Sequence, residues 1–99
     1  MVKVIVKNYV KKEKVKHLVE IFIQMKNNVE KYEGCLSYNI YKDEDNEKII
    51  TLIHEWETIE HVDNYYKSSY FLEVLEKLVE YLEKESEINI YSKISWVFY

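Results

Sequence analysis

His54, Asn8 and Trp56 are the first candidates for chemistry, because each stands where a strand pattern turns it inward. His54 lies in "KIITLIHEW" (48–56), on the alternate set that also holds Ile50, Leu52 and Trp56. It is the one histidine of three set among apolar neighbours. An imidazole of ordinary pKa can move a proton at neutral pH. Its two readings are a general base and a histidine satisfied in the core or at an interface. Asn8 lies in "VKVIVKNYV" (2–10) on the face of Val2, Val4, Val6 and Val10. A buried amide without partners costs roughly 1–3 kcal/mol. Asn8 therefore either orients a substrate oxygen or caps backbone groups at the sheet end. Trp56 offers a flat face for stacking on an aromatic ligand, or packs where sheet meets helix.

Ten tyrosines add candidate pocket walls, since tyrosine joins a large apolar body to one polar tip. Tyr38 alternates with Leu36 and Ile40 on an apolar set. Tyr65, Tyr66 and Tyr70 fall in a helical stretch. Tyr66 and Tyr70, four apart, share a helix face, whereas Tyr65 and Tyr70 need not. Tyr38, Tyr65 and Tyr70 are read as substrate-binding candidates; the alternative is packing with the hydroxyls in water. Cys35 is the only thiol. It follows a helix C-terminus and Glu33, both of which oppose thiolate formation, so it reads as a small apolar residue opening a strand. With one glycine there is no phosphate loop, and no Gly-x-Ser-x-Gly elbow occurs. His54 and His61 lack a carboxylate or cysteine at ligand spacing, so no metal site is expected.

The bulk properties bound the partners. A net charge of −4 with scattered lysines argues against nucleic acid. A single cysteine excludes an internal disulfide and fits a reducing compartment. No apolar run of about 18 residues and no signal-peptide pattern occur, so a cytoplasmic protein away from the membrane is expected.

The elements that must position these residues read as one domain over 1–99. Alternation marks a strand over 2–10. The spacing of Val15, Leu18, Val19, Phe22, Met25 and Val29 predicts an amphipathic helix over 12–33. Gly34 is read as its exit, because glycine accepts a left-handed conformation. "CLSYNIYK" (35–42) alternates again, with Leu36, Tyr38 and Ile40 inward. "DEDNE" (43–47) is a turn, and 48–56 is a strand apolar on both faces, which predicts cover on both. Thr58, His61 and Val62 suggest a short helix. Ser68 or Ser69 caps the next, whose buried stripe is Phe71, Leu72, Leu75, Leu78, Val79 and Leu82. "INIYSKISWVFY" (88–99) is a fourth strand with an apolar tail. Strand, helix, strand, strand, helix, strand is the ferredoxin-like split βαβ order: an α+β fold with a four-stranded antiparallel sheet and helices on one face. The other face, together with Ile94, Trp96, Val97 and Phe98, predicts a homodimer through the sheet face and C-terminal strand.

"EGCLSYNIYKDEDNE" and "LIHEWETIEHVDNYYKSSYF" resemble two segments of the antibiotic biosynthesis monooxygenase (ABM) family, including its quinol monooxygenase-like members. The likeness runs from residue 2 to about 92. It implies a dimeric α/β barrel and cofactor-free oxygenation of a small phenol, quinol or anthrone with O2, the substrate anion itself being the reductant. A non-catalytic ligand-binding or stress-response module of the same fold is the alternative. Many members carry a histidine nine residues after the Glu-Trp tryptophan; here that position is Tyr65. The haem-degrading branch resembles this chain at Asn8, but its haem-ligating histidine falls near Leu75, and leucine cannot ligate iron. Asn8 and His54 are the catalytic candidates on their strand positions, and the resemblance implies no cofactor.

Overall fold

Alternation in the first residues becomes the strand from which the sheet is built. β1 (Val2–Tyr9) turns Val2, Val4, Val6 and Asn8 to a covered face and Lys3, Ile5, Lys7 and Tyr9 to the other. The computed structural model describes residues 1–94. A 3₁₀ turn (Lys12–Lys14) leads into α1 (Val15–Val29), followed by β2 (Cys35–Lys42), β3 (Ile49–Trp56), α2 (Ile59–Tyr66), α3 (Ser69–Leu78), a second 3₁₀ turn (Val79–Tyr81) and β4 (Glu87–Ser92). The sheet order is β2-β3-β1-β4 with every pair antiparallel. This is the ferredoxin-like α+β fold. No helix among the described residues is long and apolar enough to cross a membrane.

The register brings the candidates into rows. Val4, His54 and Tyr38 stand side by side across β1, β3 and β2, and Asn8 pairs with Ile50. Leu18, Phe22, Met25 and Val29 of α1 are buried against this face. The Lys26 ammonium donates to the Tyr38 carbonyl at 2.6 Å and to Glu30 at 2.9 Å, tying α1 to β2 beside Tyr38.

The long helix ends at Val29, not at 33. The N–H groups of Lys31 and Tyr32 turn to the carbonyls three residues back, which tightens the chain out of the α-helical register. Gly34 follows, at φ +85°, as the turn into β2 rather than the residue next to the helix. A Cβ there would collide with the His61 ring as well as strain the backbone. Leu36 is not inward: a bulge between Cys35 and Ser37 leaves it as the extra residue, half-exposed, and restores alternation at Tyr38.

Ser68 is the cap of α3, its hydroxyl accepting from the Phe71 N–H at 3.2 Å. Of the expected stripe on that helix only Leu78 is buried; Phe71 and Leu82 are partly so, and Leu72, Leu75 and Val79 stay exposed. The reason is the space beneath α3, described below. On β3 the helix-covered set is buried, while on the opposite face only Ile49 is; Thr51, Ile53 and Glu55 are half-buried. β4 is exposed along its length and ends at Ser92. Of the expected apolar tail, Ile94 is exposed, and Trp96, Val97 and Phe98 lie outside the described residues.

Candidate functional site

Between the sheet and α1, α2 and α3 lies a cavity. It holds ≈ 520 Å³ of empty space counted out to its mouth, of which the centre of a water-sized sphere reaches ≈ 80 Å³. Such a slot suits a flat apolar ligand held by a few polar groups. Its floor is Val6, Asn8, Leu52, His54 and Tyr38 from the sheet; α1 adds Phe22 and Met25; α2 adds Tyr65 and Tyr66. Phe71, Leu75 and Leu78 of α3 form the roof, which is why Leu75 is not packed on the sheet.

His54 is 1% exposed and held in one protonation pattern. The Trp56 indole N–H donates to its Nδ1 at 2.7 Å. In the neutral ring the other nitrogen, Nε2, then carries the hydrogen. Burial lowers the His54 pKa to about 4, so the ring is neutral at pH 7. A second proton could enter only at Nδ1, against the indole N–H. The geometry thus makes His54 a hydrogen-bond donor toward the cavity and a weak base.

Tyr38 is also 1% exposed, and its ring lies 5.1 Å from that of His54. Its hydroxyl is buried with no hydrogen-bond partner among the described residues. Burial pushes its pKa well above the ordinary tyrosine value, so it stays protonated and able to donate. Tyr65 stacks on Trp56 (5.4 Å, 26°) and meets Tyr32 and Phe71. Burial raises the pKa of Tyr65 likewise and that of Tyr66 to about 12. Neither is a base at neutral pH.

The structure brings Asn8, His54, Tyr38 and Tyr65 to one cavity. Trp56 and Tyr70, also expected at the wall, stand elsewhere. Trp56 is fully buried behind Tyr65 and is hydrogen-bonded to His54. Tyr70 turns to α1, where its hydroxyl accepts from the Asn28 amide at 3.3 Å. Tyr66, one residue from Tyr65, takes the cavity position instead, because the helix end presents both to the sheet. Ser86 was not foreseen; nothing local in "KESEIN" marks it, and only the chain's return to β1 sets it in the wall. Cys35 is off the cavity. Burial first, and Glu30 second, raise its thiol pKa; the acidic neighbour is Glu30 rather than Glu33. No three His, Cys, Asp or Glu side chains cluster at metal-binding range among the described residues.

Residues 1–85 match the family described as antibiotic biosynthesis monooxygenase, ABM. The chain belongs to the ABM family. A conserved protein from Methanosarcina mazei Go1 is similar to it in structure at a TM-score of 0.89, with 36% identity over 94% of this chain and 92% of that one. A crystal structure described as an antibiotic biosynthesis monooxygenase gives 0.86 at 16% identity over 95% and 99%. A Mycobacterium tuberculosis protein gives 0.87 at 18% over 98% of each chain. The last two likenesses concern the fold alone. An uncharacterized protein of Synechocystis sp. is 34% identical over 58 residues, which span 59% of this chain and 40% of that longer relative. The ABM assignment thus rests on the sequence match over residues 1–85 and agrees with the fold.

Proposed function

We propose that this ABM-family protein is a cofactor-independent monooxygenase for a small phenol, quinol or anthrone. The observation that carries the reading is a neutral His54 donor on the wall of an apolar slot, with the Tyr38 hydroxyl buried beside it and bonded to no other group among the described residues. Two donors in a dry cavity stabilise negative charge on a ligand oxygen far more than water does. They favour the phenolate or enolate, and the released proton passes to solvent at the cavity mouth. The anion gives one electron to O2; the resulting radical and superoxide join at carbon, and the peroxide takes a proton. Loss of water across the O–O bond leaves the carbonyl. A methylene thus loses two hydrogens and gains one oxygen, the other oxygen leaves as water, and all four electrons come from the substrate. Phe22, Met25 and Tyr65 keep solvent from the ring. Oxygen uptake above the autoxidation blank, with one atom of ¹⁸O2 in the product, tests this on hydroquinones, catechols and anthrones. No acceleration on any of them refutes it.

The second reading is a binding module that holds such a ligand without turnover. It is favoured by one observation: each titratable cavity residue with a shifted pKa is moved away from neutrality, His54 down and the tyrosines up. Ligand binding without oxygen uptake selects it. In either case we propose a homodimer formed through the sheet face that carries Ile5, Ile49 and Ile53, which light scattering on the purified protein checks.

A further inference from the structure

The cavity has a second polar end that the proposed reaction does not use. Asn8 is registered with Ile50, four residues before His54 on β3, so the two ends lie about 13 Å apart along the strands. At the far end Ser86 Oγ donates to Asn8 Oδ1 at 2.6 Å. Asn8 Nδ2 donates to the Ile50 carbonyl at 3.0 Å and the Val6 carbonyl at 3.4 Å. Asn8 is 4% exposed, and both residues line the cavity.

A primary amide has two donor hydrogens and a serine hydroxyl has one. All three are engaged by the protein itself. What the far end retains is lone pairs, one on Asn8 Oδ1 and those on Ser86 Oγ. Turning the amide over would set Oδ1 against the Ile50 carbonyl, so the polarity is not reversible. The near end is opposite in character, since His54 there presents an N–H.

We propose that the cavity selects its ligand by polarity from end to end. It takes a flat phenol of two or three fused rings whose reacting oxygen meets His54 and Tyr38 and which bears a second, free hydroxyl at the opposite end, donating its one hydrogen to Ser86 Oγ, which Asn8 holds in place. This rests on the phenol-site reading above and adds the distal hydroxyl as the specificity determinant. A single ring is too short to reach both ends. An ether, a carbonyl or a bare C–H at the far end cannot donate, and it would cover the acceptors without pairing them.

Anaerobic titration with 2-naphthol, 6-methyl-2-naphthol and 2,6-dihydroxynaphthalene separates the two ideas. The expected result is that the dihydroxy compound binds about tenfold more tightly than the methyl compound, the effect of one net hydrogen bond. Ser86→Val is expected to bring that ratio to within about twofold, while 2-naphthol still binds. Equal affinities on the unaltered protein overturn the distal-hydroxyl selection and leave the phenol site standing. Failure of all three to bind overturns the phenol site and this inference together. A full preference kept by folded Ser86→Val overturns the role of Ser86. Should that variant not fold, the three ligands on the unaltered protein decide.

Discussion

The indole N–H of Trp56 donates to His54 Nδ1 at 2.7 Å, between residues two apart on the same face of β3. One bond fixes which nitrogen of the buried imidazole holds its hydrogen, and so whether His54 offers the cavity a hydrogen-bond donor or an acceptor. Trp56→Phe keeps an aromatic face for Tyr65 but removes the donor. It is expected to lower turnover about tenfold or more with the fold intact. Nitrogen NMR of the imidazole checks the cause: Nε2–H in the unaltered protein and a mixture of tautomers in the variant.

The lowered His54 pKa gives stability a pH dependence of known sign. The folded value is about 4 against 6.5 for the free side chain, so the unfolded chain binds the extra proton first as pH falls. The neutral-His54 contribution is fully present above about 6.5 and is lost progressively down to about 4, amounting to roughly 3 kcal/mol. Melting temperature compared between pH 7.5 and 4.5 should show this loss, and His54→Gln should show less of it. An equal slope in both proteins would assign the effect to other groups.

Tyr38→Phe separates ligand binding from folding. The hydroxyl has no partner among the described residues, so its removal should leave stability unchanged or raise it by about 1–3 kcal/mol. The same change should weaken phenol binding about tenfold. Loss of stability would mean that the hydroxyl is bonded within the folded protein.

At the Gly34–Cys35 turn the glycine matters and the thiol does not. Gly34→Ala forces a side chain into φ +85° and into the His61 ring, and is expected to cost about 2–4 kcal/mol by denaturant unfolding. Cys35→Ala should leave ligand binding unchanged, and Cys35 should alkylate slowly at pH 7, as its raised pKa requires. Rapid alkylation would contradict that environment.

Much of the frame could be read along the chain, because strand alternation and helix periodicity are local properties. The inward set of β3 carries His54, and that of β1 carries Asn8, as their neighbours indicate. Leu36 escaped because a bulge breaks period two without a glycine or proline to announce it. Leu72, Leu75 and Val79 escaped because an apolar stripe marks what a helix could bury, not whether the sheet rises to meet it.

The sequence by itself determined the order of elements, the face of most strand residues, and, through its match over residues 1–85, the family. Only the tertiary structure decided the hydrogen-bonding state of the candidate residues. Whether His54 is a base or a donor depends on one indole N–H and on burial, and neither is a property of the imidazole. Whether Asn8 is free to hold a ligand depends on Ser86, 78 residues away along the chain. Side-chain hydrogen bonds and the loss of solvent around a group set its protonation and its valence for partners, and the burial that does this exists only once the chain has closed on itself.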